Sequence, residues 1–170
     1  LPMIASGGSI VVPAWLEPES GFGPMGVQAR WDGDSLSGTK WHVPFAEAAS
    51  WFLVLARTGD APTDVGLFLV DRDADGVTLS QQKTIASSTQ YAVTMETVSA
   101  EPVGDLTGGW ATWHEVMLDG IILLAAQASG GAEHALDITV QYSKDRFQFG
   151  KPIGAFQAIS HYLADAATRV

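Results

Sequence analysis

The hydrophobic period of this 170-residue chain changes once, near Trp110, and that change limits what the chain can fold into. Upstream, short apolar runs are separated by turn residues. "WFLVLAR" and "VGLFLVD" flank a Gly59–Asp64 turn, "QYAVTMETV" alternates enough to be half buried, and Asp32-Gly33 marks a hairpin between "VQARW" and "SLSGTKWHV". Short strands at this spacing predict a small barrel or sandwich. Downstream, Leu118, Ile122, Ala125, Ser129, Ala132, Leu136 and Val140 recur at steps of three and four. They mark one face of a helix running to near Lys144, about 50 Å long. Its middle, "AAQASGGA", is built of small residues; Gly130 and Gly131 weaken a helix, so they predict close approach of a neighbouring element. Gly150 and Pro152 end this region, and "FQAISHYLADAATRV" begins a second helix with the stripe Phe156, Ile159, Leu163 and Ala167. The expected class is α+β: a β-barrel or sandwich-like domain over residues 1–105, then part of an α-helical bundle over residues 106–170. A stable bundle takes about four helices. The chain is therefore expected to be a fragment, or to find its missing helices in another subunit.

Composition removes several kinds of chemistry. With no cysteine, disulfides, thiolate metal sites and cysteine nucleophiles are excluded. The four histidines, His42, His114, His134 and His161, are no closer than 20 residues, so no helix carries a paired-histidine metal motif. Neither G-x-G-x-x-G nor G-x-x-x-x-G-K-[ST] occurs. Ser20-Gly21 and Ser37-Gly38 lack the flanks of a nucleophile elbow and read as turns. The acid pairs Glu17/Glu19 and Asp73/Asp75 read as solvated loop carboxylates, and Trp15, Trp31, Trp41 and Trp51 read as core. A net charge of -10 argues against nucleic acid as a partner. No leader opens the chain, and its longest apolar runs fall short of the roughly 18 residues of a membrane span. The expectation is a soluble, cytoplasmic protein with no membrane partner.

Against that acidic background, "KDRFQFGKPIGAFQ" gathers Lys144, Arg146 and Lys151 around three phenylalanines and a Gly-Lys-Pro break. A guanidinium fork at the end of a long helix suits a diphosphate, and Phe147 and Phe149 suit a base. The competing reading is a helix end whose cations merely complement the macrodipole.

The same stretch, continued through "AISHYLADAATRV", resembles the R-x-x-F-G segment and following L-A-D helix of the acyl-CoA dehydrogenase family. Upstream, "LEPESG" resembles that family's T-E-P-x-x-G turn, "SGTKWHV" its N-G-x-K-x-W-I-T strand, and "LFLVDRDADGV" a later strand and turn. The resemblance implies a middle β-domain and the first two bundle helices of a flavoenzyme. Such an enzyme binds FAD and desaturates an acyl-CoA thioester between its α and β carbons. Electrons would pass to an electron-transfer flavoprotein. By that resemblance Arg146, Phe147, Gln148 and Phe149 match positions that hold the flavin's adenine and pyrophosphate in a neighbouring subunit, and Phe156-Gln157 matches a second contact pair. Trp15-Leu16 and Trp41-His42-Val43 match segments lining the isoalloxazine ring of the same subunit. No residue matches the catalytic base.

The chain departs from the family pattern at four places. Leu16 and Val43 stand where threonines are usual, Phe22 where a serine is common, and Ile121 where an arginine opens the long helix. Each replacement removes a hydrogen bond of about 0.5–1.5 kcal/mol. Losses on the ring side, with the adenine grip kept, raise the alternative of a non-catalytic assembly subunit that lends Arg146 and Gln157 to a partner's FAD. Either way the implied state is an oligomer, of identical chains or with a dehydrogenase paralogue.

Overall fold

A computed structural model describes residues 2–18, 21–85 and 88–170. The chain divides into two compact units, Leu1–His114 and Glu115–Val170, each described here by itself.

The first unit opens with a one-turn helix, α1 (Pro2–Ala5), followed by eight strands: β1 (Val11–Ala14), β2 (Arg30–Trp31), β3 (Ser35–Pro44), β4 (Trp51–Arg57), β5 (Val65–Asp71), β6 (Val77–Gln82), β7 (Gln90–Ser99) and β8 (Glu101–Val103). They form one mixed sheet of order β6-β7-β3-β2-β4-β5-β8, with β1 also parallel to β4. The expected turns appear. β2 and β3 are antiparallel around Asp32-Gly33, where Asp32 accepts the Asp34 and Ser35 amides, and β4 and β5 pair in full from Trp51↔Asp71 to Arg57↔Val65. Because β4 is flanked on both edges, its run and that of β5 are nearly continuous apolar sequence, as doubly covered strands require. On β7, Tyr91, Val93 and Met95 alternate inward, and with Phe52, Val54, Phe68, Leu36 and Val43 they make the core.

Two bulges interrupt the β3–β7 ladder. Between Leu36↔Val98 and Gly38↔Met95, β7 carries the extra residue, and Thr97 turns left-handed (φ 55°) to donate its amide to Ser37 Oγ. Ser37-Gly38 thus lies within β3 opposite the β7 bulge and is not the expected turn. Gly38 is required there: at φ 152° an added Cβ would lie 2.5 Å from that of Ala29. Between Lys40↔Val93 and Val43↔Tyr91 the extra residue belongs to β3, and His42 is left-handed (φ 54°).

Burial corrects two more expectations. Trp15, Trp31 and Trp51 are only half-buried and Trp41 is 39% exposed, whereas Trp113, which was not anticipated, is 8% exposed. Glu17 is not a solvated loop acid: its side chain is 4% exposed and ion-paired to the fully buried Lys40. Its sequence companion Glu19, like Ser20 of the Ser20-Gly21 step, lies outside the described residues. Asp73 is exposed and pairs with its neighbour Arg72.

The second unit holds most of α2 (Gly109–Asp145), a hairpin of β9 (Phe147–Gln148) and β10 (Lys151–Pro152), and α3 (Gln157–Ala167). The helical period appears as expected, and, as expected of a fragment or subunit, Leu118 and Ile122 of the stripe are exposed, as are Ile121, Leu123 and Leu124. Nothing described lies within 4 Å of a Cβ at Gly130 or Gly131, so the close approach expected there is not made among the described residues.

Candidate functional site

The residues singled out by sequence fall into two groups, one in each unit. In the first unit, the chain leaves β1 at Ala14 and runs beside β3, where the Leu16 carbonyl accepts the Trp41 amide at 2.8 Å. That bond brings Trp15-Leu16 alongside Trp41-His42-Val43. The bulge then re-aims β3. The His42 amide donates to Gln82 Oε1 at 2.8 Å, and its ring Nδ1 lies 3.0 Å from Gln90 Oε1. An amide oxygen only accepts, so Nδ1 is the donor in that contact. Val43 is a core residue with its side chain buried, so only its backbone can meet a ligand. Trp15 is the centre of an aromatic group, with Phe22 at 6.2 Å and Trp113 at 5.7 Å between ring centroids. The buried Trp113 indole N–H has no acceptor among the described residues.

Beneath these segments lies the Glu17–Lys40 pair. Lys40 Nζ donates to Glu17 Oε1 at 2.5 Å, and both carboxylate oxygens accept the Ala29 amide, at 3.0 and 3.1 Å. Burial pushes the Lys40 ammonium below its ordinary pKa, and the Glu17 charge opposes that shift. Sequence reasoning missed this pair. The signal was present, since Leu36, Gly38 and Lys40 alternate along β3 and so place a lysine on the inward face.

In the second unit, α2 ends at Asp145 and the hairpin follows at once. The Arg146 amide still donates to Tyr142, while its carbonyl accepts from Ile153, so Arg146 joins the helix to the hairpin. The two turn residues, Phe149 (φ 53°) and Gly150 (φ 82°), are both left-handed, the conformation a two-residue hairpin needs. That turn holds Phe149 out, 93% exposed, with its ring edge-on to Phe156 at 6.2 Å. Lys151 Nζ stands 4.2 Å from the centre of the same Phe156 ring. Phe147 is exposed, Gln148 bonds to the Phe147 carbonyl, and Gln157 opens α3 as an exposed residue. The Arg146 guanidinium is exposed and has no hydrogen-bond or ion-pair partner among the described residues. Phe149, Phe156 and Lys151 thus form one aromatic and cationic group, and Arg146 joins α2 to the hairpin that carries two of them.

Comparison with known proteins bears on the family of the chain. The family model for the acyl-CoA dehydrogenase middle domain matches residues 14–98, and that for the acyl-CoA dehydrogenase C-terminal domain matches residues 107–170. The acyl-CoA dehydrogenase FadE28 of Mycobacterium tuberculosis is 33% identical over 162 residues, an alignment taking in 95% of this chain and 44% of FadE28. Butyryl-CoA dehydrogenase from Megasphaera elsdenii superposes with a TM-score of 0.87 at 28% identity, over 98% of this chain and 47% of that one. The FAD complex of PigA superposes at 0.86 with 25% identity, over 98% and 47% respectively. The chain spans about half the length of the relatives it matches. On its sequence, its strand order and the family models that together cover both units, the chain belongs to the acyl-CoA dehydrogenase family.

Proposed function

We propose that the protein containing this chain is an FAD-dependent acyl-CoA dehydrogenase, desaturating an acyl-CoA thioester between the α and β carbons. An electron-transfer flavoprotein would be the acceptor of the electrons, and the working state would be an oligomer. The observation that carries the reading is the unpartnered Arg146 guanidinium at the end of α2, in a chain whose next residues present Phe149, Lys151 and Phe156 as one aromatic and cationic group. FAD, when bound, supplies the hydride acceptor for the β-carbon hydrogen. The side chains fit such a group unevenly. Arg146 would hold the pyrophosphate, Phe147, Phe149 and Phe156 the adenine, and Gln148 and Gln157 neutral polar edges. Trp15, Leu16 and Trp41, with the exposed His42, would wall the ring and exclude water. The Trp41 and His42 amides already serve Leu16 and Gln82, so neither can replace the hydroxyls absent at Leu16 and Val43. No residue of this chain is assigned as the base that removes the α proton.

Arg146→Ala in the full-length protein tests the reading. Removing charge-assisted bonds of about 1.5–3 kcal/mol each should weaken FAD roughly ten-fold or more per bond, with the melting temperature of the flavin-free protein nearly unchanged. Unchanged flavin affinity with a stability loss of about 0.3–1 kcal/mol would reduce Arg146 to a helix-end cation. Gln157→Ala should move flavin affinity in the same direction by less.

A further inference from the structure

The Glu17–Lys40 pair is the one fully buried ionic contact among the described residues, and the dehydrogenase reading gives it no part. It is also poorly served as a source of stability. Lys40 has three donors and Glu17 is its only hydrogen-bond partner among the described residues. Apolar residues of similar volume commonly replace a buried pair at no cost to stability, so its presence calls for a different explanation.

Its location supplies one. Glu17 follows Trp15-Leu16 directly, and Lys40 is the last residue of β3 in register with β7 before the bulge at Trp41-His42. The pair therefore joins the two segments at the points where each leaves regular sheet geometry. The Ala29 amide adds a third attachment, from the residue that packs against Gly38. Among the described residues, Trp15–Glu17 and Trp41–Val43 share one backbone bond, from Trp41 N–H to the Leu16 carbonyl. One hydrogen bond next to a bulge leaves register and height free to vary, because bulged strands are bent and locally unpaired. A charge pair with no alternative partner permits only one arrangement.

We propose that Glu17 and Lys40 are positioning residues: their buried ion pair locks the Trp15–Pro18 segment to the Trp41–Val43 bulge, so that the two present a single fixed wall to the flavin ring. The link to flavin rests on the dehydrogenase reading; the lock itself does not.

The test uses the full-length protein with Glu17→Met and Lys40→Met combined, so that no unpaired charge is left in the core. Native-state amide exchange reads the lock without any flavin. The double variant should still fold, with a melting temperature at or somewhat below the wild-type value because the buried Ala29 amide loses its acceptor, while the Trp41 and Ala29 amides lose protection by about ten-fold or more relative to the inner amides of β4. FAD should bind about ten-fold more weakly, and the visible circular dichroism of the bound flavin should change, since the ring would meet a wall of more than one arrangement. Unchanged protection at Trp41 and Ala29 would overturn the proposal. So would unchanged flavin affinity and dichroism despite lost protection. Should the double variant fail to fold, exchange in the wild type decides: the lock requires the Trp41 and Ala29 amides to exchange only by global unfolding, and exchange through local opening overturns it. A wild type that takes up no FAD would fail the dehydrogenase reading alone, leaving the lock to be judged by exchange.

Discussion

Two buried or half-shielded groups give the first unit opposite responses to alkali, and the responses can be separated. The Tyr91 hydroxyl donates to Glu47 at 2.7 Å, and that bond, with burial, raises its pKa above 10.0. The folded state then keeps a proton that the unfolded state has released, so this contribution is complete below pH 10.0 and is lost as pH rises through the raised value. Lys40 works the other way. Its folded pKa is lowered from 10.5 by burial, so the folded state releases the proton first, and stability from this group grows with pH from the lowered value up to 10.5. Tyr91→Phe should therefore remove a fall in stability above pH 10.0, and the Glu17→Met, Lys40→Met pair should remove a rise that ends at 10.5; denaturant midpoints across the alkaline range would show both. Breaking the pair on one side only, with Lys40→Met, should cost about 3–5 kcal/mol, because Glu17 would be left buried without its cation. None of this was legible from residue 17 alone. A carboxylate beside Pro18 resembles a turn acid, and its partner is 23 residues away, brought close only when the segment that follows β1 runs beside β3. The helix end before Arg146 was legible because the residues that mark it, Gly150 and Pro152, are neighbours in sequence as well as in space.

Local periodicity carries further at the level of elements than at the level of contacts. Alternation placed β7, the helical period placed α2, and continuous apolar runs bounded by turn residues placed β4 and β5, since each pattern records burial residue by residue. Bulges leave no such record: one inserted residue breaks alternation for two positions, which is indistinguishable from an exposed patch. Hence the Ser37-Gly38 step was read as a turn and the His42 kink was not foreseen. Gly38 offers a direct check. Gly38→Ala would put a methyl 2.5 Å from the Ala29 side chain at a φ of 152°, and Ala29 is the residue bonded to Glu17. The substitution should destabilise the first unit by about 1–3 kcal/mol in chemical denaturation. Gly130→Ala is the contrasting case. With open space around it in this chain, the substitution should raise the helicity of the 170-residue polypeptide, by about 0.5–1 kcal/mol of helix stability.

Burial is divided very unequally over the whole molecule. Every residue of the main apolar cluster lies between Val12 and Val98, whereas in Glu115–Val170 the only residue counted as buried among those described is Ser143. The helical unit has regular hydrogen bonds but little apolar surface withdrawn from water, and helix stability in proteins comes mainly from packing of the apolar face. Leu118, Ile121, Ile122, Leu123 and Leu124 instead form an exposed aliphatic cluster that encircles this part of α2. Patches of this kind on a soluble polypeptide mark contact with other protein. Two measurements on a polypeptide of these 170 residues follow. Amide exchange should find strong protection in β4, β5 and β7 and weak protection from Glu115 onward, because opening the helices exposes little surface that is not already wet. Light scattering should show association that deepens with concentration, and Ile122→Glu with Leu123→Glu should suppress it, leaving the protection of the strands untouched. A monomer at all concentrations with uniformly protected helices would mean that the stripe is covered within the chain, against the exposure of these five side chains.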